Sequence, residues 1–145
     1  MKSRPNMLFI MSDQHSKFHL GCYGDPLVRT PHLDRLASEG MTFTNAYTAA
    51  PLCVPARMAF MTGRRPSANQ VWTNDHILSS ALPTWAHAIG ALGYETALIG
   101  RMHFVGADQR HGFEYRPLGE YGANYPGAPK KGGPILKSIP GTLGQ

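Results

Sequence analysis

The sequence predicts an α/β domain with a mostly parallel sheet flanked by helices. Strand-like and helix-like patterns alternate at short intervals between Pro5 and Gly100. Near the amino terminus Met7 to Met11 is an unbroken apolar run, the pattern of a strand buried on both faces. Three later segments begin near a Pro and end at a Gly, as helices do.

Taken in order, the Met7 to Met11 run is expected to be a central strand that ends at Ser12-Asp13-Gln14. Asp13 would then stand at a strand's carboxyl end, where open α/β sheets place their ligands. Thr30 to Gly40 reads as a short helix: Thr30 caps it, Pro31 suits its first position, Leu33, Leu36 and Ala37 form an apolar stripe, and Gly40 ends it. Met41 to Tyr47 alternates apolar and polar residues and predicts a strand. Val54 to Met61 favours a helix starting near Pro55 and stopping before Gly63, which leaves Cys53 at its amino terminus. Pro83 to Leu92 is amphipathic, with Trp85, Ala88, Ile89 and Leu92 on one face and Gly93 as the terminator. Thr96 to Ile99 predicts a second buried strand leading into Gly100-Arg101-Met102-His103. Periodicity fades after Glu114 in a Gly- and Pro-rich stretch. The organisation is therefore residues 1–113 as folded domain and 114–145 as a loop or unfinished connection.

Composition narrows the class. The chain has 145 residues, 42% hydrophobic and 16% charged, enough for one core and too few charges for charge-driven disorder. Collagen, coiled coils and disulfide scaffolds are excluded. The net charge of +5, from 14 Lys+Arg against 9 Asp+Glu, is spread along the chain, so it suits a small anionic substrate and no nucleic-acid partner is expected. The Met7 to Met11 run is too short for a signal peptide or a membrane span, so neither export nor a membrane partner is expected and the localisation read is cytoplasmic. Cys22 and Cys53 are then read as thiols, Cys22 as a buried or half-buried one in the first loop.

The sharpest chemical signal is Cys53-Val54-Pro55-Ala56-Arg57, followed by Thr62-Gly63-Arg64. A thiol at a helix amino terminus meets exposed backbone N–H groups and the positive end of the helix dipole, and Arg57 adds a cation one turn on. Such a cysteine is suited to activation or modification.

This pentapeptide resembles the signature of the sulfatase family, in which the Cys becomes formylglycine through a separate formylglycine-generating enzyme. Arg4 to Gln14 resembles that family's opening strand, Thr30 to Ala37 its first helix, Phe43 to Tyr47 its next strand, and Gly93 to His103 its Gly-Lys-x-His strand end. The resemblance implies an alkaline-phosphatase-like fold, here apparently incomplete, and hydrolysis of a sulfate, phosphate or phosphonate ester. It implies a formylglycine nucleophile at Cys53 and a divalent metal, Ca²⁺ or Mn²⁺ with Mg²⁺ as a third choice, held by Asp13, Gln14 and residue 53. Arg57 would hold the modified residue, and His103 would contact it and assist turnover. Arg101 stands where the family has Lys, and Asn74 where one branch has a substrate-binding Asn; both would bind the ester. Arg keeps the charge and offers two donors to a tetrahedral oxyanion but gives up no proton.

Gln14 follows Asp13 where the common pattern has a second Asp, which resembles the branch that includes phosphonate monoester hydrolases and phosphodiesterases. Asp75 and His76 read as polar surface. Met58, Phe60 and Met61 read as core. No second metal-binding stretch follows His103, so the alternative reading is a truncated, non-catalytic fragment of such an enzyme. Sequence leaves the oligomeric state open.

Overall fold

The computed structural model describes residues 4–119. The chain divides into two compact units, Met1–Ala46 and Tyr47–Gln145.

In the first unit, two short 3-10 turns, Lys17–His19 and Gly21–Tyr23, precede helix α1, Pro31–Glu39. Pro31 opens α1 and Gly40 follows it, as the sequence predicts. Thr30 stands at the N-cap position, but its hydroxyl does not cap the helix. It donates instead to Asp34 Oδ1 at 3.0 Å and accepts the Gly21 N–H at 2.9 Å, while the Cys22 N–H donates to Asp34 Oδ1 at 2.7 Å. The 3-10 turn is thus fastened to α1 through one carboxylate. Gly21 is needed for that approach, because a Cβ there would lie 2.5 Å from Asp34 Oδ2. Cys22 is exposed, which corrects the expectation of a buried or half-buried thiol.

The strand expected at Met7 to Met11 does not form, and its side chains are exposed, Leu8 by 84% and Ile10 by 80%. Nor does one form at Met41 to Tyr47. A strand exists only when a neighbour takes up its backbone groups. Around the second segment side chains take them instead: the Phe43 carbonyl accepts from the Tyr23 hydroxyl at 2.7 Å and the Thr44 carbonyl from Lys17 Nζ at 2.9 Å. The sheet among the described residues consists of two strands, both in the second unit.

That second unit contains helices α2, Cys53–Thr62, α3, Pro66–Asn69, and α4, Trp85–Ala91, and strands β1, Ala97–Ile99, and β2, Tyr115–Leu118. β1 and β2 pair in parallel, in keeping with the α/β expectation. β2 lies where sequence periodicity had already faded, so the expected loop from residue 114 is corrected over its first residues; residues 120–145 lie outside the described ones. α2 packs against α3 and α4. Val54, Met58 and Met61 of α2 join Val71, Leu78, Ala86, Leu98, Met102, Phe104, Val105 and Phe113 in the core. Trp85 makes edge contacts with Phe60 on one side and Phe113 on the other, at 5.8 and 5.4 Å between ring centres. Met58 and Met61 are core residues as expected, whereas Phe60 lies at the core's edge.

No helix among the described residues is long and apolar enough to cross a membrane.

Candidate active site

The site is built on the amino terminus of α2. Cys53 is its first residue and is half-buried. Leu52, in the N-cap position, has no side chain able to accept from the helix's first N–H groups. Asn74 supplies that acceptor from the following loop: its Oδ1 takes the Val54 N–H at 2.9 Å. The other end closes with Gly63 at φ +65, whose N–H donates to the Ala59 carbonyl at 2.8 Å.

One turn after Cys53, Arg57 is buried, 6% exposed, and its Nη1 donates to the Arg101 carbonyl at 3.0 Å. A buried guanidinium is tolerable only where acceptors meet its N–H groups. The Arg101 side chain turns outward and its Nη2 donates to His103 Nδ1 at 2.8 Å. His103 is buried, 8% exposed. The segment that carries these residues leaves the carboxyl end of β1 through Gly100 at φ +90, and His103 itself sits at φ +59. Met102, Phe104 and Val105 are anchored in the core on either side of His103. Buried apolar neighbours therefore hold an unusual backbone conformation that the His103 side chain would not select by itself.

Of the sequence-predicted residues, the structure links Cys53, Arg57, Asn74, Arg101 and His103 within the second unit. Asp13 and Gln14 belong to the first unit, in an exposed turn with Gln14 at φ +54. Asp13 thus follows an irregular segment, not a strand. Asp75 and His76 are exposed, and His76 Nδ1 accepts the Thr73 N–H at 3.0 Å, an ordinary turn contact. Adjacent oxygen donors at Asp13 and Gln14 suit a hard divalent cation chemically. They are nevertheless few, because such ions take about six oxygens. Among the described residues no group of three or more His, Cys, Asp or Glu could hold a metal ion. The donor set in hand is therefore incomplete.

Sequence reasoning missed that Asn74 caps α2. The signal for it is Leu52, which leaves the helix start without a local acceptor.

A family model described as Sulfatase matches residues 5–138. The chain belongs to the sulfatase family. It is 46% identical over 114 residues to a choline-sulfatase of Rhizobium meliloti (strain 1021), covering 78% of this chain and 22% of that protein. It is 40% identical over 135 residues to the steryl-sulfatase of Homo sapiens, covering 85% of this chain and 23% of that one. Among solved structures, a protein in complex with its substrate D-glucosamine-2-N,6-O-disulfate superposes with a TM-score of 0.74 at 34% identity, over 79% of this chain and 23% of the other. The phosphonate monoester hydrolase of Agrobacterium radiobacter superposes with a TM-score of 0.70 at 28% identity, over 77% and 25%. This sulfatase-family chain spans about a quarter of the length of the relatives it matches. Its fold is that of the alkaline-phosphatase-like hydrolases, a small α/β arrangement with a parallel strand pair and flanking helices.

Proposed function

We propose that this chain carries the nucleophile of a formylglycine-dependent hydrolase acting on sulfate, phosphate or phosphonate esters. The observation that carries the reading is the position of Cys53, at the first residue of α2 with Arg57 buried one turn on and bonded to the carbonyl of Arg101, whose guanidinium meets His103. The kinship with sulfatases and with a phosphonate monoester hydrolase supports an anionic ester as substrate.

Each residue has a defined task in this proposal. Formylglycine at position 53, hydrated by one water to a geminal diol, would attack through one hydroxyl and displace the alcohol; loss of the proton from the second hydroxyl would then expel the sulfate or phosphate and restore the aldehyde. Asn74 spends its carbonyl on the Val54 N–H, so its amide NH₂ is the group left to donate to an ester oxygen. The Arg101 guanidinium, whose Nη2 lies 2.8 Å from His103 Nδ1, would supply positive charge toward the ester's anionic oxygens. Arg57 holds the α2 terminus and the Arg101 backbone together. Asp13 and Gln14 would contribute oxygen ligands to a divalent cation, whose positive charge such a hydrolysis draws on. The remaining ligands are not among the described residues, so these alone are not expected to turn over substrate.

Peptide mass spectrometry of protein from its native host tests the reading. Conversion of Cys53 from thiol to aldehyde lowers the mass by about 18 Da. An unmodified thiol in every preparation would refute the formylglycine nucleophile.

A further inference from the structure

We propose that Arg101 is a positioning residue that holds His103 in the tautomer protonated at Nε2. The inference concerns the same site as the proposed hydrolase and gains its mechanistic meaning from that reading, but its chemistry is independent of it.

The geometry leaves little freedom. Arg101 Nη2 lies 2.8 Å from His103 Nδ1. A guanidinium only donates hydrogen bonds and stays charged at any pH of interest, so Nδ1 must be the acceptor and must be unprotonated. The ring's one proton in the neutral state then resides on Nε2. Both partners of the bond are restrained. His103 is nearly buried at φ +59 between the core residues Met102 and Phe104. Arg101 has its backbone fixed by the 3.0 Å bond from Arg57 Nη1 to its carbonyl. The helix that begins at Cys53 thereby anchors the backbone of the residue whose guanidinium meets His103 Nδ1. A lysine at position 101 would offer a single compact ammonium in place of a planar fork, and would hold Nδ1 with less directional control.

The consequence for chemistry is specific. With Arg101 on Nδ1, His103 cannot accept a proton at Nε2, because that nitrogen already carries one. Its free base site is Nδ1, which opens only when the guanidinium moves away. A tetrahedral anion is the natural competitor for that guanidinium.

Nitrogen-15 NMR of the histidine side chains of the full chain tests this without any need for turnover. Neutral His103 is expected to show an unprotonated Nδ1 and a protonated Nε2, with the Nδ1-protonated form undetectable. In Arg101→Met the Nδ1-protonated form should become detectable, and Arg101→Lys should suppress it again in part. A wild-type His103 protonated at Nδ1 overturns the proposal, as does an Arg101→Met spectrum with the wild-type tautomer. If Arg101→Met does not fold, the wild-type spectrum and Arg101→Lys still decide. The state of Cys53 is read separately by mass spectrometry: an unmodified Cys53 with the expected tautomer refutes the hydrolase reading alone, and a modified Cys53 with Nδ1 protonated refutes this inference alone.

Discussion

Asn74 joins a structural role, the cap of α2, to the ester-binding role proposed for it. Its Oδ1 bond to Val54 N–H replaces the missing cap of α2, so Asn74→Ala should cost about 1 kcal/mol of stability. Asn74→Asp keeps the acceptor but loses the NH₂, so it should retain stability in urea unfolding while weakening ester binding, and the pair of variants separates the two roles. Arg57→Met leaves the Arg101 carbonyl without this donor and should destabilise by about 1–3 kcal/mol in urea unfolding. The residue types at 53, 57, 101 and 103 were legible in sequence because their pentapeptide and strand-end patterns are local. The bond from Asn74 to Val54 was not, because it joins a loop to a helix start across an intervening helix and turn.

At the scale of elements, helices were read from the chain far better than strands. The interiors of α1, α2 and α4 satisfy their backbone groups within the helix, so their apolar stripes and the Pro and Gly residues near their ends are local information. The segment between β1 and β2 is held by contacts that no periodicity announces. Arg116 Nη1 donates to the Gln109 carbonyl at 2.6 Å and to Gln109 Oε1 at 2.7 Å, and Gln109 Nε2 donates to the Phe104 and Gly106 carbonyls at 3.0 and 2.8 Å. Gly112, at φ +98, passes so close to α4 that a Cβ would lie 2.5 Å from His87 Nδ1; Gly112→Ala should therefore displace the segment and lower the melting temperature.

His111 lies buried in this segment against Phe104, 4.6 Å between ring centres, with Asp108 Oδ2 3.4 Å from its Nδ1. Burial pushes its pKa below the usual 6.5; the Asp108 carboxylate opposes that, and His87 and Arg116 reinforce it. The unfolded chain therefore binds a proton that the native state refuses, just below pH 6.5. The stability His111 contributes is complete above pH 6.5 and declines as pH falls below it. Denaturant midpoints between neutral and mildly acidic pH should show this decline, and His111→Phe should flatten it. Asp108 works at lower pH. Its partial burial would raise its pKa, but N–H groups of His111 and Arg110 outweigh this and hold it below 3.8, so its contribution is lost only as pH falls under that value.

For the molecule as a whole, burial ranks the consequences of mutation. Phe104 is fully buried in the second unit's core, so Phe104→Ala should cost about 3–5 kcal/mol. Ile99 is 71% exposed although it lies in β1, so Ile99→Ala in this chain should change stability by no more than about 0.5 kcal/mol. Urea unfolding of the two variants checks the contrast. By itself the sequence determined the α/β class, the positions of α1, α2 and α4, and the family through its Cys-x-Pro-x-Arg segment, because each is written in neighbouring residues. Only the tertiary structure decided that Met7 to Met11 and Met41 to Tyr47 form no strands here, that Tyr115 to Leu118 does, that Cys22 is exposed, and that Arg57, Arg101 and His103 form one hydrogen-bonded series. Strand pairing and buried polar contacts depend on partners distant in sequence, and an apolar pattern records a capacity to be buried without naming the neighbour that would bury it.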